Sequence, residues 1–244
     1  MNEADLARLP ESLVALLPLG SMEPHAHLPL ATDTLIAAAI LAQVAAGTPH
    51  TCLFPAIPVG FLFKYAGWPG AIGVGHQILT GLIVDICRGL SRLGLRKLLL
   101  MSGHDENREP ALQALREAHR ESGVLGVYCD WIELAVPVVS RISASGREGH
   151  ASEIQTSVFL HLFPQMPVDL PRPALQPLGP PPRGADDLFA SPEQGTWVRA
   201  VPLQHGRSCT GDPGQATPEK GKIVVEAIVQ QARKIIEDLR AIQD

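Results

Sequence analysis

The segment "RKLLLMSG" (Arg96 to Gly103) constrains the fold more than any other stretch of the chain. Its apolar run is too short for a helix and stops at glycine, as a strand buried on both faces does. Such a strand needs parallel neighbours and helical crossovers to cover it. "SLVALLPLG" (Ser12 to Gly20) reads the same way. "CLFPAIPVG" (Cys52 to Gly60) reads as a strand whose prolines place it at an edge, and "VLGVYC" (Val124 to Cys129) as another. Helical segments fall between them. One spans Thr34 to Ala46, with Thr32 or Asp33 as N-cap and Gly47 as its stop. Others run from Ile78 to Gly94, from Pro110 to Gly123 and from Ala151 to Phe163. The last is capped by Thr217 before Pro218, with Ile223, Ala227, Ile228 and Ile235 on one face. The alternation predicts an α/β chain: a three-layer α/β/α sandwich around a mostly parallel sheet, joined by right-handed crossovers.

With 244 residues the chain suits one domain, residues 1–244. The proline-dense stretch from Pro164 to Gly184 is then a surface excursion within it. Apolar residues at 45% against 18% charged leave an apolar surface, which points to a homo-oligomer. A net charge of −5, with no Lys/Arg cluster among aromatics, excludes nucleic acid as a partner. The acidic start and the short apolar run broken by Pro18 give neither a signal peptide nor a membrane span, so the expected location is cytoplasmic, with no membrane partner. Cys52, Cys87, Cys129 and Cys209 form no CxxC pair and read as reduced thiols.

In parallel sheets ligands gather beyond the carboxyl ends of the strands. Two loops sit there. One carries Glu23, His25, His27 and Asp33, the other His104, Asp105 and Glu106. Imidazole with carboxylate suits Zn²⁺, Mn²⁺ or Fe²⁺, and two such ions need about five or six protein ligands, one of them a bridging carboxylate. Taken singly, each residue has an ordinary explanation: Asp33 as a helix cap, Glu23 and Glu106 as solvated carboxylates, a lone His25 or His104 as a satisfied polar group. His50, His119, His161 and His205 belong to that class. Gly70, Gly73 and Gly75 match no phosphate-binding loop, and Ser21 has no nucleophile-elbow context.

"LPLGSMEPHAHLPLATDT" resembles the opening motif of the creatininase family of metal-dependent amidohydrolases. "GWPGAIGVG", "KLLLMSGHDEN" and "GREGHASEIQTSVFL" resemble its later blocks, in family order, over Leu16 to about Leu160. The resemblance implies a homo-oligomeric α/β/α enzyme, a hexamer built as a trimer of dimers, that hydrolyses non-peptide C–N bonds at a two-metal centre. Glu23 and His104 would hold one ion, His25 and Glu106 the second, and Asp33 would bridge them. His150 matches the family's proton-handling histidine. The loop after His25 is one residue shorter than in the family, so either His25 or His27 would be the one to reach the metal. Gln155 replaces a family carboxylate; Glu153 would either take its part or cap the helix dipole.

The implied chemistry is attack of a metal-activated bridging water on an amide carbonyl, with His150 relaying a proton to the leaving nitrogen. Tyr65, Trp68 and Trp131 would line a pocket for a small cyclic amide. The alternatives are a peptidase of the mycofactocin-maturing type, acting on a short peptide C-terminus, and a non-catalytic metal-binding homologue.

Overall fold

A computed structural model of the chain describes residues 10, 12–146, 148–169 and 209–242. Strand β1 (Val14–Leu19) lies at the centre, with all six residues buried. It pairs in parallel with β2 (Thr51–Leu53) on one side and β3 (Lys97–Ser102) on the other, and β3 pairs in parallel with β4 (Leu125–Asp130). The order β2-β1-β3-β4 reverses direction between β1 and β3, so the loops leaving these two strands diverge and open a crevice.

Side chains along β1 alternate between two cores. Ala15, Leu17 and Leu19 pack with Leu98 and Leu100 under helices α2 (His76–Arg92) and α3 (Arg108–Ser122). Val14 and Leu16 pack with Leu99 and Met101 under α1 (Thr32–Ala46), α4 (Trp131–Ile142), α5 (Glu153–Leu162) and α6 (Pro218–Ala241). This is the expected α/β architecture, a parallel sheet with helices on both faces. Among the described residues no helix is long and apolar enough to cross a membrane.

Several local expectations change. The strand expected over Cys52 to Gly60 keeps regular pairing only to Leu53. Beyond it Phe54 N–H and Ile57 N–H still bond to Leu16 and Pro18, but Pro55 has no N–H to continue a ladder. Helix α1 begins at Thr32 behind Ala31, without a side-chain cap, which frees the Asp33 carboxylate for other contacts. Helix α4 was not foreseen. Asp130 starts it by accepting the Ile132 N–H at 2.9 Å, and it tolerates an internal Pro137. In α6, Thr217 and Pro218 cap as expected, but the buried stripe runs through Gly221, Val224, Val225, Ile228, Val229, Ala232, Ile236 and Leu239, leaving Ile223 exposed. Most of the proline-rich excursion, and His205, lie outside the described residues.

Candidate metal centre

The loop after β1 is shaped by close approaches. A Cβ at Gly20 would overlap Thr34, and one at Gly103 would overlap the Asp33 backbone, so only glycine lets the two loops meet the first turn of α1. Glu23 N–H bonds to Leu30 O and Leu28 N–H to His25 O, with Ala26 in the left-handed region (φ 52°) at the turn. This tight turn sends His25 inward. His27 points away, 2.9 Å from Thr156 Oγ1 on α5.

Three imidazoles converge on two carboxylates. His25 Nδ1 lies 3.0 Å from Glu23 O, His104 Nε2 lies 3.0 Å from Phe61 O, and His150 Nε2 lies 2.6 Å from Pro24 O. A carbonyl only accepts, so each of these nitrogens carries the hydrogen, and the opposite nitrogen faces the centre. There His25 Nε2 is 3.0 Å from Asp33 Oδ1, and His104 Nδ1 is 2.9 Å from Glu23 Oε1 and 3.4 Å from Asp33 Oδ2. His150 Nδ1 is 3.6 Å from Glu23 Oε1.

Charge decides how this cluster can exist. Burial raises the Glu23 pKa although His104 opposes it. Burial acts against the Asp33 charge too, but His25 and His104 outweigh it and hold Asp33 well below the usual carboxylate range. Burial disfavours the imidazolium of His104, yet Glu23 and Asp33 carry its pKa well above the ordinary value, and Asp33 with Glu23 does the same for His25. His150, by contrast, is pushed down to about 3 by burial and by His25, and is neutral at pH 7.

Neither Glu23 oxygen receives a hydrogen bond of acceptable geometry. A buried carboxylate costs several kcal/mol, which the imidazoles of His104 at 2.9 Å and His150 at 3.6 Å repay only in part without hydrogen bonds of good geometry. A divalent cation removes that cost. Glu23, Asp33 and His104 place ligand atoms within 4.8 Å of one another, as do Glu23, His25 and His150. The residues present therefore fit a divalent ion with oxygen and nitrogen donors.

The other expected site residues are placed variously. Glu106 accepts the backbone N–H groups of Phe63 (2.8 Å) and Lys64 (3.1 Å), and lies 3.6 Å from His104 Nε2, outside both ligand triads. Glu153 accepts the N–H groups of Ala144 and Ser145 and pairs with Lys220 Nζ at 2.6 Å, so its carboxylate ties down a loop and does not reach the centre. Trp131 is buried in the core with its Nε1–H on Gly103 O, and does not line a pocket. Tyr65 stacks on the His150 ring, their centroids 4.4 Å apart, and Trp68 meets Tyr65 edge-on.

Sequence reasoning missed four supporting residues. Ser21 Oγ donates to Asp33 Oδ2 at 2.7 Å, and Gln155 Nε2 to Asp33 Oδ1 at 2.9 Å. Asn107 donates to Gly20 O and accepts Phe61 N–H, which fixes the carbonyl that orients His104. Glu148 accepts three serine hydroxyls, from Ser143, Ser145 and Ser152, and so shapes the approach to His150. All four lie inside the motif blocks quoted above, where Gln155 stood out only as a replaced carboxylate and nothing indicated the partners they take.

The mycofactocin precursor peptide peptidase of Mycolicibacterium smegmatis is 32% identical over 160 residues, which span 62% of this chain and 58% of that protein. Creatinine amidohydrolase of Pseudomonas putida is 28% identical over 241 residues, 89% of this chain and 86% of the other. A crystal structure of creatinine amidohydrolase (creatininase) shares the fold with a TM-score of 0.78 at 24% identity, covering 99% of this chain and 96% of its own. The sequence profile of the creatininase family, described as creatinine amidohydrolase, matches residues 1–236, and by that match this chain belongs to the creatininase family of hydrolases.

Proposed function

We propose that this hydrolase is a divalent-metal-dependent amidohydrolase that cleaves a non-peptide C–N bond in a small, creatinine-like cyclic amide. The observation that carries the proposal is the convergence of three outward-anchored imidazoles on Asp33 and the donor-less Glu23. In this reading Glu23 and His104 would hold one ion and His25 the other, with Asp33 shared between them, while Glu106 accepts the N–H groups of Phe63 and Lys64 and holds that segment beside the centre. The donor set suits zinc or manganese, with iron also compatible. Solved creatininases include manganese and zinc forms. When bound, such ions make a water nucleophilic near neutral pH and polarise a carbonyl.

The chain's own residues supply the rest. His150 keeps Nδ1 free of hydrogen because Pro24 O anchors Nε2–H, and Tyr65 stacked on its ring prevents rotation. A neutral imidazole so placed accepts a proton from the attacking water and passes it to the leaving nitrogen, a contribution of roughly 10²- to 10⁴-fold. Trp68, edge-on to the buried Tyr65, gives an aromatic surface against which a flat cyclic amide stacks.

A second reading, a peptidase acting on a short peptide C-terminus, is favoured by the 32% identity to the M. smegmatis peptidase. A metal-binding homologue without catalysis is disfavoured by the joint presence of Glu23, Asp33, His104 and the oriented His150. The proposal includes a cytoplasmic homo-oligomer, for which exposed Ile72, Ile78 and Leu82 provide apolar surface.

Metal analysis of the purified protein beside Asp33→Ala, followed by hydrolysis assays on cyclic amides and short peptides, tests these readings. About two ions per chain, lost in the variant, with turnover confined to cyclic amides, is the expected result. Turnover of peptides alone selects the second reading, and a chain that takes up no Zn²⁺ or Mn²⁺ overturns both.

A further inference from the structure

We propose that Ser21 and Gln155 are positioning residues that divide the Asp33 carboxylate between two ions, one oxygen to each. It presupposes the two-ion centre proposed above. Ser21, Asp33 and Gln155 are all buried. The orientation of the Gln155 amide follows from its partners. Its Oε1 accepts the Ala151 N–H at 2.6 Å, which leaves only Nε2 to face Asp33.

Each carboxylate oxygen has two in-plane lone pairs. Ser21 occupies one on Oδ2 and Gln155 one on Oδ1. The directions that remain are occupied by different imidazoles: Oδ1 lies 3.0 Å from His25 Nε2, and Oδ2 lies 3.4 Å from His104 Nδ1. Left to itself, the terminal torsion of an aspartate is broad, and a carboxylate can turn both oxygens toward a single cation. A separate donor on each oxygen opposes that rotation.

Gln155 suits the task because it is neutral. A carboxylate at the same place would lie against Asp33 Oδ1 with no hydrogen between them, and would compete with Asp33 for the cation at the His25 side. The amide donates instead, and its nitrogen also lies 3.3 Å from His25 Nε2. Through Oε1 it holds Ala151, a left-handed residue (φ 48°) directly after His150. One side chain thereby ties the bridging carboxylate to the loop that presents the proton-handling histidine.

The test uses the full chain loaded with Mn²⁺, with affinities from calorimetric titration and spin coupling from electron paramagnetic resonance. Wild type should bind two Mn²⁺ with a coupled spectrum. Gln155→Met keeps the shape and removes the donor. It should weaken the ion at the His25 side about 10- to 100-fold and uncouple the spectrum. Ser21→Ala should weaken the ion at the His104 side by a similar factor. Combination with His25→Ala separates the two. Adding Q155M to that background should leave the remaining ion unchanged, whereas adding S21A should weaken it. A general structural role would not produce this asymmetry. Wild-type affinities and coupling in both Q155M and S21A, or weakening of the same ion by both, would overturn the assignment. A wild type that binds no Mn²⁺, or binds it without coupling, fails the two-ion reading itself.

Discussion

Glu23 sits fully buried with two oxygens that receive no hydrogen bond, and it serves both candidate ligand sets. In the ion-free protein that arrangement is a cost retained for binding, because the desolvation of a buried carboxylate that accepts no hydrogen bond is only partly repaid by the imidazoles beside it. Glu23→Gln should therefore melt a few degrees above wild type when both are stripped of metal. Ion at one hundred times its dissociation constant stabilises a binding protein by about 2.7 kcal/mol, so Zn²⁺ should raise the wild-type melting temperature and leave the variant unmoved. A stripped variant that melts below wild type would show that Glu23 supports the fold directly. At this scale the sequence was most legible where several ionisable residues shared a loop: Glu23, His25, Asp33, His104 and His150 all reach the centre. It misled for Trp131 and Glu153, because position along the chain does not give the direction of a side chain. It marked Gln155 as the replacement of a family carboxylate but gave no sign of its partner Asp33, which lies 122 positions away.

Strand ends and helix starts meet where glycine permits. Gly103 passes so close to Asp33 that any side chain would overlap its backbone. Gly103→Ala should force β3's loop away from α1, destabilise the fold by about 1–3 kcal/mol as overpacking does, and reduce metal uptake together with stability. Chemical denaturation and metal analysis of the same sample check both halves; unchanged uptake would mean that Asp33 and His104 tolerate the displacement. Most elements were readable from apolar runs and glycine or proline punctuation. Helix α4 was not, because Pro137 interrupts its pattern and Trp131 follows a strand without a break. The α6 face was read from its isoleucines, yet packing against α5 selected the valine-rich face around Val224 and Val225.

For the molecule as a whole, Asp130 links folding to pH. Burial raises its pKa to about 7 from an ordinary 3.8, so between about pH 4 and 7 the native protein keeps a proton that the unfolded chain has released. Stability from this group is present in acid and falls as pH rises through that window. Asp130→Asn keeps an acceptor for Ile132 N–H and removes the titration. Its unfolding free energy should exceed wild type progressively from pH 4 to pH 7.5, and parallel profiles would exclude the linkage. The overall architecture was legible because β and α alternate so regularly, whereas the crevice between β1 and β3 depends on strand order, which no local pattern encodes.

The two faces of the sheet are completed at different times during synthesis. The face under α2 and α3 has all its helices once Ser122 has been made, whereas the other must wait for α6, which closes over α1, α4 and α5. From Leu162 to Ala241 the ribosome adds 79 residues, about 4 to 16 s at roughly 5–20 residues per second. Throughout that interval Val14, Leu16, Ile36 and Phe159 stand without their final cover, so the nascent chain exposes apolar surface until its last helix arrives.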